Sequence, residues 1–158
     1  MSGLETKKIV LLVEDNPDDE ELTRMAFESS HLLNELVVVR DGAEALDFLF
    51  MRGVHANRDP EIVPQVILLD LKLPKVSGLD VLRSLRNDPR TSMIPVVVLT
   101  SSKEEEDVVR SYQLGANAYV RKPVDFAEFS EAATQLGVFW LLLNQPPPAA
   151  AAIENSDS

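Results

Sequence analysis

The stretch "KIVLLVEDNPDDEEL", Lys8 to Leu22, decides how the rest of the chain is read. Lys8–Val13 is an apolar, β-branched run bounded by charge, the pattern of a strand buried on both faces. Asn16 then stands where a helix N-cap belongs. Pro17 suits the first helical position, and Asp18, Asp19 and Glu20 suit the positive end of the helix dipole. Leu22, Met25 and Ala26 give that helix an apolar face. A doubly buried strand running straight into a helix is the opening half of a βαβ unit.

The same alternation repeats to the C-terminal side. Glu35–Arg40 reads as a second strand, and Asp41-Gly42 turns into a helix over Ala43–Arg52. Residues 53–65 read as a polar loop. Val66–Asp70 is a third strand, followed by a loop from Pro74 to Gly78 and a helix to about Arg86. Val96–Leu99 is a fourth strand. A helix capped by Ser101 or Ser102 begins at Lys103 and stops near Gly115, a residue suited to a left-handed helix end. Ala118–Val120 is a fifth strand. Asp125 and Glu128 have capping-box spacing for a last helix reaching about Asn144. The expected fold is α/β: a doubly wound, five-stranded parallel sheet in the order 2-1-3-4-5 with five helices. One domain spans 7–144, and 145–158 is a disordered low-complexity tail.

Composition narrows the function. A net charge of −11, from 26 acidic against 15 basic residues, disfavours direct binding of nucleic acid. With no Cys, the chain has no disulfide framework, thiolate metal site or Cys nucleophile. The N-terminus lacks an apolar signal core, and the apolar run Val138–Leu143 is far shorter than the roughly 20 residues of a membrane span. These features read as a cytoplasmic protein away from the membrane. His31 and His55 have no second His at ligand spacing and receive no metal role.

The topology gathers the chemistry. Glu14 and Asp15 follow strand 1, Asp70 closes strand 3, Thr100 follows strand 4 and Lys122 follows strand 5. In a parallel sheet these positions share one edge, at the switch point where ligands bind. Asp18 and Asp19 are assigned to the helix start instead. Carboxylates about 4 Å apart repel by roughly 4 kcal/mol at an effective dielectric near 20, so the crevice needs positive charge. Lys122 supplies one. A hard divalent cation such as Mg²⁺ supplies two. A carboxylate nucleophile, a metal, a lysine and a hydroxyl are the parts of phosphoryl transfer.

"LLVEDNPDD", "ILLDLKLPKVSGLDVL", "VVVLTSS" and "GANAYVRKPV" together resemble the receiver domain of two-component response regulators, over residues 7–143. The flavodoxin-like receiver fold is what this resemblance implies. It implies further that Asp70 is the phosphoacceptor, fed by a sensor histidine kinase. Asp15 and Asp70 would bind Mg²⁺ together with the backbone carbonyl of Lys72, and Glu14 would act through a metal-bound water. Thr100 would bond the phosphoryl group, Lys122 would pair with it, and Tyr119 would change rotamer as the second switch residue. The Lys122–Pro123 bond would be cis. Leu73 stands where the family often has Met, an apolar exchange. A narrower likeness, "YQLGANAYVRKPVDFAEF…QLGVFWLLLNQPPP", resembles the small stand-alone regulators paired with bacterial phytochrome histidine kinases, and implies such a kinase as partner.

The last helix has its own message. Phe126, Phe129, Ala133, Leu136, Trp140 and Leu143 make one apolar face, while Val138, Phe139, Leu141 and Leu142 extend it around the circumference. So much apolar surface predicts a homodimer through this helix, Phe126, Phe139, Trp140, Leu141 and Leu142 above all, with the fourth helix and fifth strand alongside. Taken together, the chain reads as a single-domain signalling switch and not a turnover enzyme. One rival is an aspartate-nucleophile phosphatase, but the second Asp of its D-x-D arrangement is replaced by Lys72. The other is a receiver-like module that binds partners without phosphorylation, against which all five site residues stand.

Overall fold

The computed structural model describes residues 9–29, 35–101, 104–122 and 131. Its strands are β1 (Ile9–Val13), β2 (Glu35–Val39), β3 (Pro64–Leu69), β4 (Val96–Thr100) and β5 (Ala118–Arg121). Between them run α1 (Pro17–Ser29), α2 (Gly42–Phe50), α3 (Gly78–Arg86) and α4 (Glu105–Gln113). The strands form one sheet in the order β2-β1-β3-β4-β5, and every pairing is parallel. The expected fold class and strand order hold. A fifth helix, the dimer residues Phe126, Phe139, Trp140, Leu141 and Leu142, the Lys122–Pro123 bond and the tail 145–158 lie outside the described residues.

The pleat explains why the strand sequences are apolar without alternation. In β1, Ile9, Leu11 and Val13 enter one core with Phe48 and Leu49 of α2 and Val81, Leu82 and Leu85 of α3. Val10 and Leu12 enter the opposite core with Ala26 and Phe27 of α1. Successive side chains point to opposite faces, and both faces are covered, so every position must be apolar. β2 is an edge strand, and its residues are partly exposed up to the buried Val39.

Several boundaries differ from the sequence reading, each for a local reason. α2 starts one residue earlier, because Asp41 is its N-cap and accepts from the Glu44 N–H. It ends at Phe50, where Met51 turns left-handed at φ 54°. Residues 53–65 are not a plain loop. A 3-10 turn covers Gly53–His55, and β3 begins at Pro64. Arg58 orders this segment by donating to the carbonyls of Phe48 and Ile62, with its guanidinium 4.4 Å from the Phe48 ring centroid. His55 pairs with Glu44 at 3.1 Å. α4 begins at Glu105, with Glu104 and not a serine at its N-cap position. Its far end is as expected: Gly115 has φ 100°, the Ala116 N–H reaches the Ser111 carbonyl, and the Gly115 N–H reaches that of Tyr112. That is the paired bonding of a Schellman motif.

Gly78 is the residue that lets α3 approach β3. A Cβ there would lie 2.2 Å from the Asp70 carbonyl oxygen and 2.6 Å from the Leu71 Cα. Both obstacles are backbone, so the strain cannot be relieved by a rotamer. Gly78→Ala is expected to cost about 1–3 kcal/mol in denaturant unfolding. It should also displace the Asp70 backbone, visible as amide shifts across β3.

Candidate functional site

Parallel pairing brings the carboxyl ends of β1, β3, β4 and β5 to one edge. β1 and β3 are neighbours there although β2 intervenes in sequence, so the chain diverges and leaves a crevice. Backbone bonds set the register of the site residues. The Asp70 N–H donates to the Val13 carbonyl, the Glu14 N–H to that of Val39, and the Lys122 N–H to that of Thr100.

Asp70, Glu14, Thr100 and Lys122 are all buried, whereas Asp15 is exposed at the mouth. The Asp70 carboxylate accepts at one oxygen from the Thr100 hydroxyl (2.8 Å) and the Lys72 N–H (3.1 Å). Its other oxygen accepts from the Lys122 ammonium at 3.2 Å. The same ammonium donates to Glu14 Oε1 at 2.7 Å and to Asp19 Oδ2 at 2.7 Å. Glu14, Asp15 and Asp70 each offer a carboxylate oxygen, and these atoms all lie within 4.8 Å of one another. This all-oxygen set suits a hard divalent cation. Tyr119, on β5, is half-buried against the core under α2 and α3.

Three carboxylates around one ammonium, with Asp15 nearby, leave a surplus of negative charge. Burial pushes the Glu14 carboxyl up to about 7, with the charge of Asp70 adding to the rise and the bonds from Lys122 opposing it. Burial alone would lower Lys122, but its bonds to Asp19 and Glu14 and the charge of Asp70 outweigh this and raise it. These partners favour the charged form of Lys122.

One member of the site was assigned elsewhere by the sequence. Asp19 is part of the helix start, as expected: its N–H and that of Asp18 both donate to the Asn16 side chain. Its carboxylate, however, turns back to Lys122. Side chains tilt toward a helix N-terminus, so an acid at the third helical position overhangs the strand end before it. That offset, four residues after Asp15, was the only available signal.

Comparisons with known proteins point to one family. The family model described as the response regulator receiver domain matches residues 10–134. Response regulator Rcp1 of Synechocystis sp. is 40% identical over 134 residues, 85% of this chain and 89% of Rcp1. The Mn²⁺-bound crystal form of Rcp1 superposes with a TM-score of 0.80 at 38% identity, covering 89% of this chain and 99% of that one. The phosphorylated cyanobacterial phytochrome response regulator RcpA gives 0.81 at 40% identity, covering 91% and 100%. The bacteriophytochrome response regulator AtBRR is 56% identical with a TM-score of 0.70, covering 89% and 99%. With this sheet order, this acid-lined crevice and these relatives, the chain belongs to the response regulator receiver domain family.

Proposed function

We propose that Asp70 accepts a phosphoryl group from the phosphohistidine of a sensor histidine kinase, and that a bacteriophytochrome is that kinase. The observation that carries the reading is the Asp70 carboxylate itself, buried yet bonded to both Thr100 and Lys122 beside Glu14 and Asp15. An Asp70 oxygen forms the new bond to phosphorus. The phosphorus–nitrogen bond of the donor breaks, and the imidazole leaves with that electron pair and takes up a proton. Lys122 and Thr100 supply an ammonium and a hydroxyl to the incoming oxygens. A divalent cation, Mg²⁺ on this reading, adds positive charge at the carboxylates, and Glu14, Asp15, Asp70 and the Lys72 backbone are the groups to hold it. The relatives named for phytochrome signalling support the kinase assignment.

Thr100 and Tyr119 transmit the change to the face made by α4 and β5. Val109 and Tyr112, one turn apart on α4, are 53% and 50% exposed and give that face apolar character. We assign homodimer contacts to this face together with the residues after 122. The protein acts as a signalling acceptor, not as a turnover enzyme.

Incubation with acetyl phosphate and Mg²⁺, followed by intact mass measurement, tests the reading. A gain of one phosphoryl group that chelator prevents is expected; an unchanged mass rejects it. Light scattering with and without the phosphodonor reads the dimer.

Metal binding should depend on pH. Glu14 takes up a proton as pH falls through about 7 and loses its charge. Calorimetric titration with Mg²⁺ should show affinity weakening by up to about tenfold per unit below that pH. Equal affinity at about pH 6 and about pH 8 would contradict this.

A further inference from the structure

We infer that Asp19 is a positioning residue for Lys122, a strut that lets the ammonium offer one bond to a phosphoryl group without losing its place. The inference rests on the reading of Asp70 as acceptor. An ammonium has three donors. Two make short bonds of 2.7 Å, to Glu14 Oε1 and Asp19 Oδ2, and the third makes the longer 3.2 Å bond to Asp70 Oδ2. Only the third needs to change when oxygens arrive on Asp70. Without Asp19, a second donor is released and the ammonium can pivot about Glu14.

The strut is itself held firmly. The Asp19 N–H donates to Asn16 Oδ1 at 3.1 Å, and the Asp19 carbonyl accepts from the buried Thr23 hydroxyl at 2.9 Å. Asn16 also donates its N–H to Glu14 Oε2 at 3.2 Å, so both anchors of the ammonium are tied to the same turn. The Asp19 side chain is 35% exposed, against 7% for Lys122 and 2% for Glu14. It can therefore be replaced without opening a core cavity. The first turn of α1 is thereby fastened to the end of β5, elements that begin more than a hundred residues apart.

The test compares Asp19→Ala and Asp19→Asn with wild type in two readouts. The first is the ¹H–¹⁵N signal of the Lys122 ammonium, seen without phosphodonor because fixed bonds slow its exchange. The second is the rate of phosphoryl uptake from acetyl phosphate with Mg²⁺, with thermal unfolding as control. Asp19→Ala should lose the ammonium signal and slow uptake by about tenfold, with the melting temperature nearly unchanged. Asp19→Asn keeps an acceptor oxygen and should restore most of both. An Asp19→Ala protein with an unchanged ammonium signal overturns the inference, as does a rate loss that follows the melting temperature in both variants. If Asp19→Ala does not fold, Asp19→Asn decides: intact signal and rate support the strut, and loss of both despite the retained oxygen overturns it. A wild type that shows the ammonium signal but takes no phosphoryl group rejects the acceptor reading instead.

Discussion

Asp70→Asn is expected to leave a folded protein with almost no phosphoryl uptake. The amide keeps the shape of the carboxylate. Its oxygen can still accept from the Thr100 hydroxyl and the Lys72 N–H, which now meet Asp70 Oδ1 at 2.8 and 3.1 Å. What disappears is the anionic oxygen proposed to form the bond to phosphorus. A neutral amide oxygen is a far weaker nucleophile, and the expected drop in uptake is on the order of 10³-fold or more. Intact mass after acetyl phosphate treatment reads the result. A full phosphoryl gain in Asp70→Asn would move the acceptor to another residue. The variant should also lose affinity for Mg²⁺, because one of the three clustered carboxylates is gone. Light scattering on this variant should then show no response to phosphodonor.

Lys122→Met should be the most destabilising change at the site. Met fills a similar volume, so packing is largely kept. The ammonium is lost, and with it the counter-charge of Glu14, which is 2% exposed, and of Asp70, which is 6% exposed. Removing one partner of a buried ion pair costs about 3–5 kcal/mol, because the remaining charge is neither solvated nor paired. Chemical denaturation at about pH 8 reads that cost. The deficit should shrink in acid, and the sign follows from Glu14. Its folded pKa lies above its ordinary value even with Lys122 present, so the folded state binds its proton more tightly than the unfolded chain. Such a group favours folding below its unfolded pKa and loses that contribution as pH rises through the folded value. Without Lys122 the folded value rises further. Lys122→Met should therefore recover stability as pH falls from that raised value toward about 7, where Glu14 is protonated in the wild type as well, and a deficit independent of pH would contradict the account.

Much of this molecule was legible in the residue order. Strands buried on both faces cannot alternate, so Ile9–Val13 and Val96–Thr100 announce themselves as apolar runs, and the caps and prolines between them mark the helices. Parallel topology then sends Glu14, Asp70, Thr100 and Lys122 to one edge, because each directly follows or ends a strand. The helix ends and the segment between α2 and β3 were less legible. Met51 turns left-handed without being glycine, and Arg58 orders its loop through carbonyls that no local pattern advertises. By itself the sequence determined the periodicity, the strand order and the gathering of Glu14, Asp70, Thr100 and Lys122 at one edge, since these follow from local patterning and chain connectivity. Only the tertiary structure decided which acid holds the ammonium, and Asp19 joined Glu14 because helix tilt and burial, neither visible along the chain, aim its carboxylate at Lys122.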